Sequence, residues 1–353
     1  MSGIELDKGW HEECGVFGAV GVPQAAAITA LGLHALQHRG QEATGVVAND
    51  AGRFHVVKGI GLVADVYRSA DLEHVPGQMA IGHNRYSTSG GLTLENTQPL
   101  RVVYRGGSLA LAHNGNITNA RELRSELEEA GSIFQTTLDT EVFLHLMARS
   151  GADTVEDALL AAARQVTGAY SLVVLSEHAV VALRDPHGFR PLCLGRMGDG
   201  YVVASETCAL DLVGADLIRE VEPGEMVTID PQGLRSRRAL PAADPPQHCI
   251  FEHIYFSRPD SRVFGDTVDR VRRRLGRQLA LEHPAPADVV IAVPDSSNSI
   301  ALGYAEQSGV AFELGLIRNH YVGRTFIQPN QTGRDFGVRV KFNPVAEVLA
   351  GKR

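Results

Sequence analysis

Residues 11–18 read His-Glu-Glu-Cys-Gly-Val-Phe-Gly, and the organisation of the whole chain depends on the role given to Cys14. If the chain is cut before it, one residue supplies both a nucleophile and a base. A thiol and a free α-amine on the same residue are joined through a single water, and an amine with an ordinary pKa of about 7.7–8.0 can pass a proton near neutral pH. The N-terminus then does the work of the histidine in other cysteine enzymes. Taken alone, the octapeptide fits a small buried hydrophobic cysteine in a first strand at least as well.

Downstream motifs change the balance. They are Leu36-Gln-His-Arg-Gly-Gln-Glu42, Gly82-His-Asn-Arg-Tyr86, Ala112-His-Asn-Gly-Asn116 and Leu138-Asp-Thr-Glu141, then Tyr255-Phe-Ser-Arg-Pro-Asp-Ser261, Val293-Pro-Asp-Ser-Ser297 and Tyr321-Val-Gly-Arg-Thr-Phe-Ile327. From Cys14 to the last residue the chain resembles the glutamine phosphoribosylpyrophosphate amidotransferases. The first four motifs occur throughout the N-terminal-nucleophile amidotransferases, and the last two separate this family from those that make glucosamine phosphate, asparagine or glutamate.

The resemblance implies a propeptide (1–13), an α+β amidotransferase sandwich of αββα layers (14–245) and a partial α/β type I phosphoribosyltransferase domain (246–353). It implies that Cys14 attacks glutamine and that the ammonia displaces pyrophosphate from phosphoribosylpyrophosphate, giving 5-phosphoribosylamine in the first step of purine synthesis. Asn114 and Gly115 are the expected oxyanion donors, and Arg39, Gly40, Arg85, Tyr86 and Asp139 the glutamine pocket. Asp295, Ser296, Ser297, Arg318, Tyr321 and Arg324 are the expected phosphoribosyl contacts, with Ser296 at Mg²⁺. Cys249 matches the first thiolate of a [4Fe–4S] cluster found in some members, which needs four thiolates. Purine nucleotide inhibitors and a homo-oligomer are further implications. The chain stops just before the place where the family has an acidic pair in the phosphoribosyl loop, so a glutaminase without transfer, or an inactive fragment, is the competing expectation.

Composition sets the frame. A length of 353 residues suits two cores, since single cores stop growing beyond about 250–300 residues. No apolar run approaches the ~20 residues of a membrane helix. The net charge of −8 argues against a general nucleic-acid partner. The first thirteen residues carry Glu5, Asp7, Glu12 and Glu13 where a secretory signal needs an apolar core. Four cysteines (Cys14, Cys193, Cys208, Cys249) make no disulfide framework, which points to a reducing cytoplasm.

Along the chain, Gly15–Val20 reads as a strand, and Ile28, Leu31, Ala35 and Leu36 as the buried face of a helix over 24–37. Arg39-Gly40 then reads as a helix C-cap with a solvated arginine or as an arginine aimed at a ligand carboxylate. Arg85, at the end of a strand, suits an α-carboxylate, and Asp139 the α-ammonium. A strand over 108–112 is expected to turn sharply at His113–Asn116, and an Asn-Gly hairpin turn accounts for that pattern as well. Asn119 and Glu122 match a capping box. Cys193 and Cys208 read as core residues.

The proline-rich run 241–246 marks the exit from the first domain. Over 266–283 an apolar stripe of Val268, Val271, Leu275 and Leu279 faces a solvated row of Arg270, Arg272, Arg273, Arg274 and Arg277. Asp288–Val293 reads as a buried strand, Pro294–Asn298 as a ligand loop at its carboxyl end, and Phe312–Ile317 as the next strand.

Overall fold

The computed structural model describes residues 14–67, 72–86, 91–319 and 338–353. Residues 1–13, Tyr321 and Arg324 lie outside the described residues. The chain divides into two compact units, one running to Glu252 with Phe256–Arg258 and Arg262–Gly265, the other formed from His253–Tyr255, Pro259–Ser261 and Asp266–Arg353.

In chain order the strands of the first unit are β1 (Gly15–Val20), β2 (Ala43–Asp50), β3 (Arg53–Ile60), β4 (Met79–Arg85), β5 (Leu100–Tyr104), β6 (Gly107–Ile117), β7 (Gly168–Leu175), β8 (Val180–Arg184), β9 (Cys193–Met197), β10 (Gly200–Ala204), β11 (Asp216–Glu220), β12 (Glu225–Asp230) and β13 (Gly233–Arg238). They form a seven-stranded sheet ordered β11-β9-β10-β1-β4-β2-β3 and a six-stranded sheet ordered β13-β12-β8-β7-β6-β5. Alternation decides what each face meets. Val16, Ile81 and Val203 of the first sheet share one cluster with Ala110, Ala112, Val173 and Ala182 of the second. Phe17, Val46 and Val202 on the opposite face cluster with residues of helices Ala25–Ala35 and Thr207–Val213. Leu109, Leu111 and Leu172 on the far face of the second sheet join Leu123, Phe143 and Leu159 from helices Ala120–Glu129, Glu141–Arg149 and Val155–Ala163.

β1 is buried along its whole length. Glycine permits that closeness: a Cβ on Gly18 would lie 2.9 Å from Val203 and 3.2 Å from Val173. The helix expected over 24–37 is Ala25–Ala35; the expected Ala35 and Leu36 are buried, together with Ala25, Ala26, Thr29, Ala30, Gly32 and Leu33, but Leu31 is exposed. Apolar spacing misplaced Leu31 because this helix packs largely by small residues. Gly32 sits under the Phe17 ring, where a Cβ would be 2.3 Å away. Burying Phe17 in this way is worth roughly 1.5–3 kcal/mol.

The capping box at Asn119 does not form. Its carboxamide instead bonds to the Gln165 carbonyl and the Thr167 N–H, tying the helix to the start of β7. The helix after Asp139 begins at Glu141, and Val142, Phe143, Leu146 and Met147 are buried.

In the second unit, helices Val268–Glu282 and Asn298–Ser308 cross at two glycines. A Cβ on Gly276 would fall 1.9 Å from the Ile300 carbonyl, and one on Gly303 2.1 Å from that of Arg273. Of the solvated arginine row, Arg270, Arg274 and Arg277 are exposed and Arg273 is half-buried, and Arg272 alone needs correction. Arg272 is buried and donates to the His253 carbonyl at 2.6 Å, Arg273 and Arg277 both pair with Glu306, and Arg274 pairs with Asp266. The two expected strands are also slighter than their apolar runs suggest. Val290 and Phe312 make one parallel bridge, Ile291 and Val293 are exposed, and among the described residues after Glu282 regular pairing joins Leu316–Arg318 with Phe342–Pro344.

Candidate active site

Cys14 stands just before β1, buried, where Gly15 pairs with Asn84 of β4. That register sets Cys14 beside the end of β4, and its Sγ lies 3.5 Å from both the carbonyl and the N–H of Tyr86. Arg39 Nε–H donates to the Cys14 carbonyl at 3.1 Å. Three further Arg39 N–H groups go to carboxylates: Nη1 to Glu206 Oε1 at 2.6 Å and Glu252 Oε2 at 2.9 Å, and Nη2 to Glu252 Oε1 at 2.7 Å. Arg39 is therefore neither a solvated cap nor a free hand for a ligand. Burial works against its charge, but Glu252 and Glu206 more than offset that and hold its pKa above the ordinary range. Gly40 lets the following loop lie on β4, since a Cβ there would be 2.6 Å from the Arg85 carbonyl carbon.

Arg85 ends β4, buried, with Nη1 donating to the Gly91 carbonyl at 2.9 Å. Burial lowers its pKa, opposed by Glu42 and then by Cys14, so the guanidinium and the thiol sense each other. Asn96 Nδ2 donates to the same Gly91 carbonyl and to Thr137 Oγ1, and Asn96 Oδ1 accepts from the Thr137 N–H. This relay carries the Arg85 loop to the segment that holds Asp139. The Asp139 carboxylate accepts from the N–H of Ile117 and of Thr140, both at 2.8 Å, which aims it from the end of β6.

Asn114 and Gly115 do not sit in a turn. β6 continues straight through them, with Asn114 opposite Ser171 and Gly115 opposite Tyr170 on β7. Pairing with β7 extends the strand, so the Asn-Gly signal for a hairpin is overridden. Asn114 is fully buried, and neither heteroatom of its carboxamide has a hydrogen-bond partner among the described residues. A buried amide with nothing to bond is costly unless a ligand completes it.

Gly115 has φ +148, and a Cβ there would fall 2.0 Å from the Ala169 carbonyl oxygen, so glycine is required. Tyr170 turns its own N–H and carbonyl to Asp185, so the Gly115 N–H faces the other edge of β6 by alternation. On that edge the flanking N–H groups are engaged, His113 with Gln98 Oε1 and Ile117 with Asp139 Oδ2, each at 2.8 Å. Adjacent residues thus offer a side-chain donor and a main-chain donor.

In the second unit Asp295 and Arg318 form an ion pair in an open cleft of ≈ 160 Å³, lined also by Asn298, Phe312, Glu313 and Ile317. Ser297 Oγ bonds back to the Val293 carbonyl at 2.7 Å.

A glutamine amidotransferase domain model matches residues 83–212. The amidophosphoribosyltransferase of Bacillus subtilis (strain 168) is 52% identical over 347 residues, which are 98% of this chain and 73% of that protein. The chloroplastic enzyme of Vigna aconitifolia is 55% identical, covering 100% of this chain and 73% of its own length. The chain belongs to the amidophosphoribosyltransferase family. Two solved structures agree. One, described as the allosteric regulatory enzyme of purine biosynthesis, superposes with a TM-score of 0.90 at 52% identity over 96% of this chain and 73% of that one. The other, glutamine phosphoribosylpyrophosphate amidotransferase from B. subtilis complexed with ADP and GMP, gives 0.88 at 51% identity over 96% and 74%. The protein is thus an enzyme, a transferase of purine biosynthesis with a glutamine amidotransferase half, rather than a glutaminase alone.

Family membership raises two cofactors. Among the described residues no group of three His, Cys, Asp or Glu side chains could hold a metal ion. Cys193 and Cys208 are core residues of the first unit and Cys14 is the buried residue just before β1, which leaves Cys249 without three further thiolates among the described residues, so they do not fit a four-thiolate cluster. Magnesium asks less, because it keeps waters and substrate phosphates and needs as little as one carboxylate, which Asp295 could provide beside the Ser296 hydroxyl. Sequence reasoning missed Glu206, Glu252, Asn96 and Thr137. Each acts through a partner distant in the chain, and although Thr137 directly precedes the Leu138–Glu141 motif and Glu252 lies near the Tyr255–Ser261 one, neither belongs to it.

Proposed function

We propose that residues 1–13 are a propeptide whose removal frees the Cys14 α-amine, that 14–245 form an N-terminal-nucleophile sandwich of αββα layers, and that 246–353 are part of a type I phosphoribosyltransferase domain. The Cys14 thiolate attacks the side-chain amide carbon of glutamine, and the α-amine passes the thiol proton to the leaving nitrogen. Asn114 Nδ2–H and the Gly115 N–H stabilise the oxyanion of both tetrahedral intermediates. Ammonia leaves, and water then releases glutamate from the thioester. Arg85 holds the substrate carboxylate, Asp139 its ammonium, and Tyr86 and Gly40 the walls, while Arg39 fixes the carbonyl of the nucleophilic residue.

The ammonia attacks C1 of phosphoribosylpyrophosphate, pyrophosphate departs, and 5-phosphoribosylamine results after loss of a proton. Asp295, Ser296, Ser297 and Arg318, with Tyr321 and Arg324, bind the donor. Magnesium, held by Asp295 and the Ser296 hydroxyl, would neutralise pyrophosphate charge when bound. Purine nucleotides as inhibitors, a homo-oligomer and a cytoplasmic location belong to the same reading.

The observation that carries the proposal is the buried Asn114 carboxamide, which has no hydrogen-bond partner among the described residues, on the strand whose next residue turns its N–H away from β7. The test is to supply glutamine, Mg²⁺ and phosphoribosylpyrophosphate and follow glutamate and pyrophosphate separately. Equal release supports coupled transfer. Glutamate without pyrophosphate contradicts it.

A further inference from the structure

His83 has no part in the mechanism above, yet it is wholly buried and projects into the layer between the two sheets. It follows Ile81 at the strand period, and Asn114 follows Ala112, so both continue the faces that build the inter-sheet core. The imidazole Nε2 lies 3.0 Å from the carbonyl of His113, the residue before Asn114. A carbonyl only accepts, so Nε2 carries the proton. Burial, ahead of the nearby His113, Arg85 and Lys58, pushes the His83 pKa down to about 3. A neutral ring protonated at Nε2 has Nδ1 as a bare acceptor, and that atom has no protein partner among the described residues.

We propose that His83 is a positioning residue that sets which end of the Asn114 carboxamide faces the nucleophile. Three unpartnered atoms, His83 Nδ1 and both ends of the Asn114 amide, share one layer at the end of the sheets where Cys14 stands. A single buried water donating one proton to Nδ1 and the other to Asn114 Oδ1 satisfies two acceptors that have no partner among the described residues. The carboxamide is then held with Nδ2 turned to the developing oxyanion. Without the His83 acceptor both orientations become comparable, and part of the population presents Oδ1, which repels the oxyanion. This inference rests on Asn114 being an oxyanion donor.

The test separates the two ring nitrogens. His83→Gln keeps a donor near the Nε2 position, and with it the bond to the His113 carbonyl, but lacks the Nδ1 acceptor. His83→Asn keeps an acceptor near Nδ1 and loses that bond. The expected result is that kcat for glutamine hydrolysis falls about tenfold in His83→Gln, a fraction of the full loss of an oxyanion donor, with KM little changed, while His83→Asn retains more activity. A role confined to holding β4 against β6 predicts the reverse order, and that order overturns the proposal. Asn114→Ala and the His83→Gln/Asn114→Ala double variant complete a cycle. The double variant should be no slower than Asn114→Ala alone, whereas losses that multiply would overturn the inference while leaving the oxyanion assignment intact. An Asn114→Ala enzyme with undiminished kcat would instead reject the assignment itself. Thermal melts of each variant confirm that folded protein is being compared.

Discussion

Arg39 and Glu252 meet through two hydrogen bonds, Nη1 to Oε2 at 2.9 Å and Nη2 to Oε1 at 2.7 Å, with both side chains fully buried. A pair taken out of water in this way is retained for placement more readily than for stability, because desolvation offsets most of the attraction. What it places is the Cys14 carbonyl, which accepts from Arg39 Nε–H. Ser257 Oγ–H and Arg190 add to the Glu252 carboxylate, and the Arg258 N–H to Glu206, so the arginine is fixed from several segments.

The pair makes a pH prediction. Burial would raise the Glu252 pKa, but Arg39 and then Arg190 overcome it, and the net shift is downward. A carboxylate whose folded pKa lies below its unfolded value of about 4.3 contributes stability at every pH above that value and loses it as pH falls through the folded pKa. Glu252→Gln should lower stability at neutral pH by about 3–5 kcal/mol, since it leaves Arg39 under-compensated. It should also flatten the loss of stability below about pH 4.3. Denaturant midpoints across the acid range check this, and acid limbs of equal slope in parent and variant would remove Glu252 from the account.

Gly115→Ala should impair folding and catalysis together. The positive φ alone costs roughly 1–3 kcal/mol for an alanine, and the Cβ would meet the Ala169 oxygen at 2.0 Å. Relief by moving β6 displaces an oxyanion donor, so glutamine kcat should fall by about 10²-fold or more in the protein that does fold. A stable Gly115→Ala enzyme with parental kcat would show that the backbone geometry here is incidental.

Arg85→Lys and Asp139→Asn should raise the KM for glutamine by about tenfold or more with a smaller change in kcat, because both groups are assigned to the backbone end of the substrate. Asp139→Asn carries an additional loss, since the carboxylate also receives the Ile117 and Thr140 N–H groups. Steady-state kinetics on glutamine decide the point. Unchanged KM in both variants would assign Arg85 and Asp139 to structure.

How legible the site was depended on range. The strand that opens at Gly15 follows from its own pattern, whereas the roles given to Cys14, Arg85, Asn114 and Asp139 come from short motifs and stand as proposals. The Asn114–Gly115 turn was misread because Asn-Gly is a local hairpin signal, whereas pairing with Ser171 and Tyr170 is set by residues more than fifty positions away. Arg39 was misread for the same reason: nothing near it in sequence announces Glu206 or Glu252. Leu31 was placed inside because bulk is a poor guide where a helix packs through Gly32 and alanines. Arg272 was placed outside because an arginine row gives no sign of which member meets a carbonyl.

The account rests on Cys14 acting as an N-terminal nucleophile, and the most direct measurement is mass spectrometry of the purified active enzyme before and after reaction with a diazoketone analogue of glutamine. The account predicts a chain that begins at Cys14 and gains one adduct, carried by that residue, as glutamine-dependent activity disappears. A fully active chain that still carries residues before Cys14, or an inactivating adduct on any other residue, would contradict it.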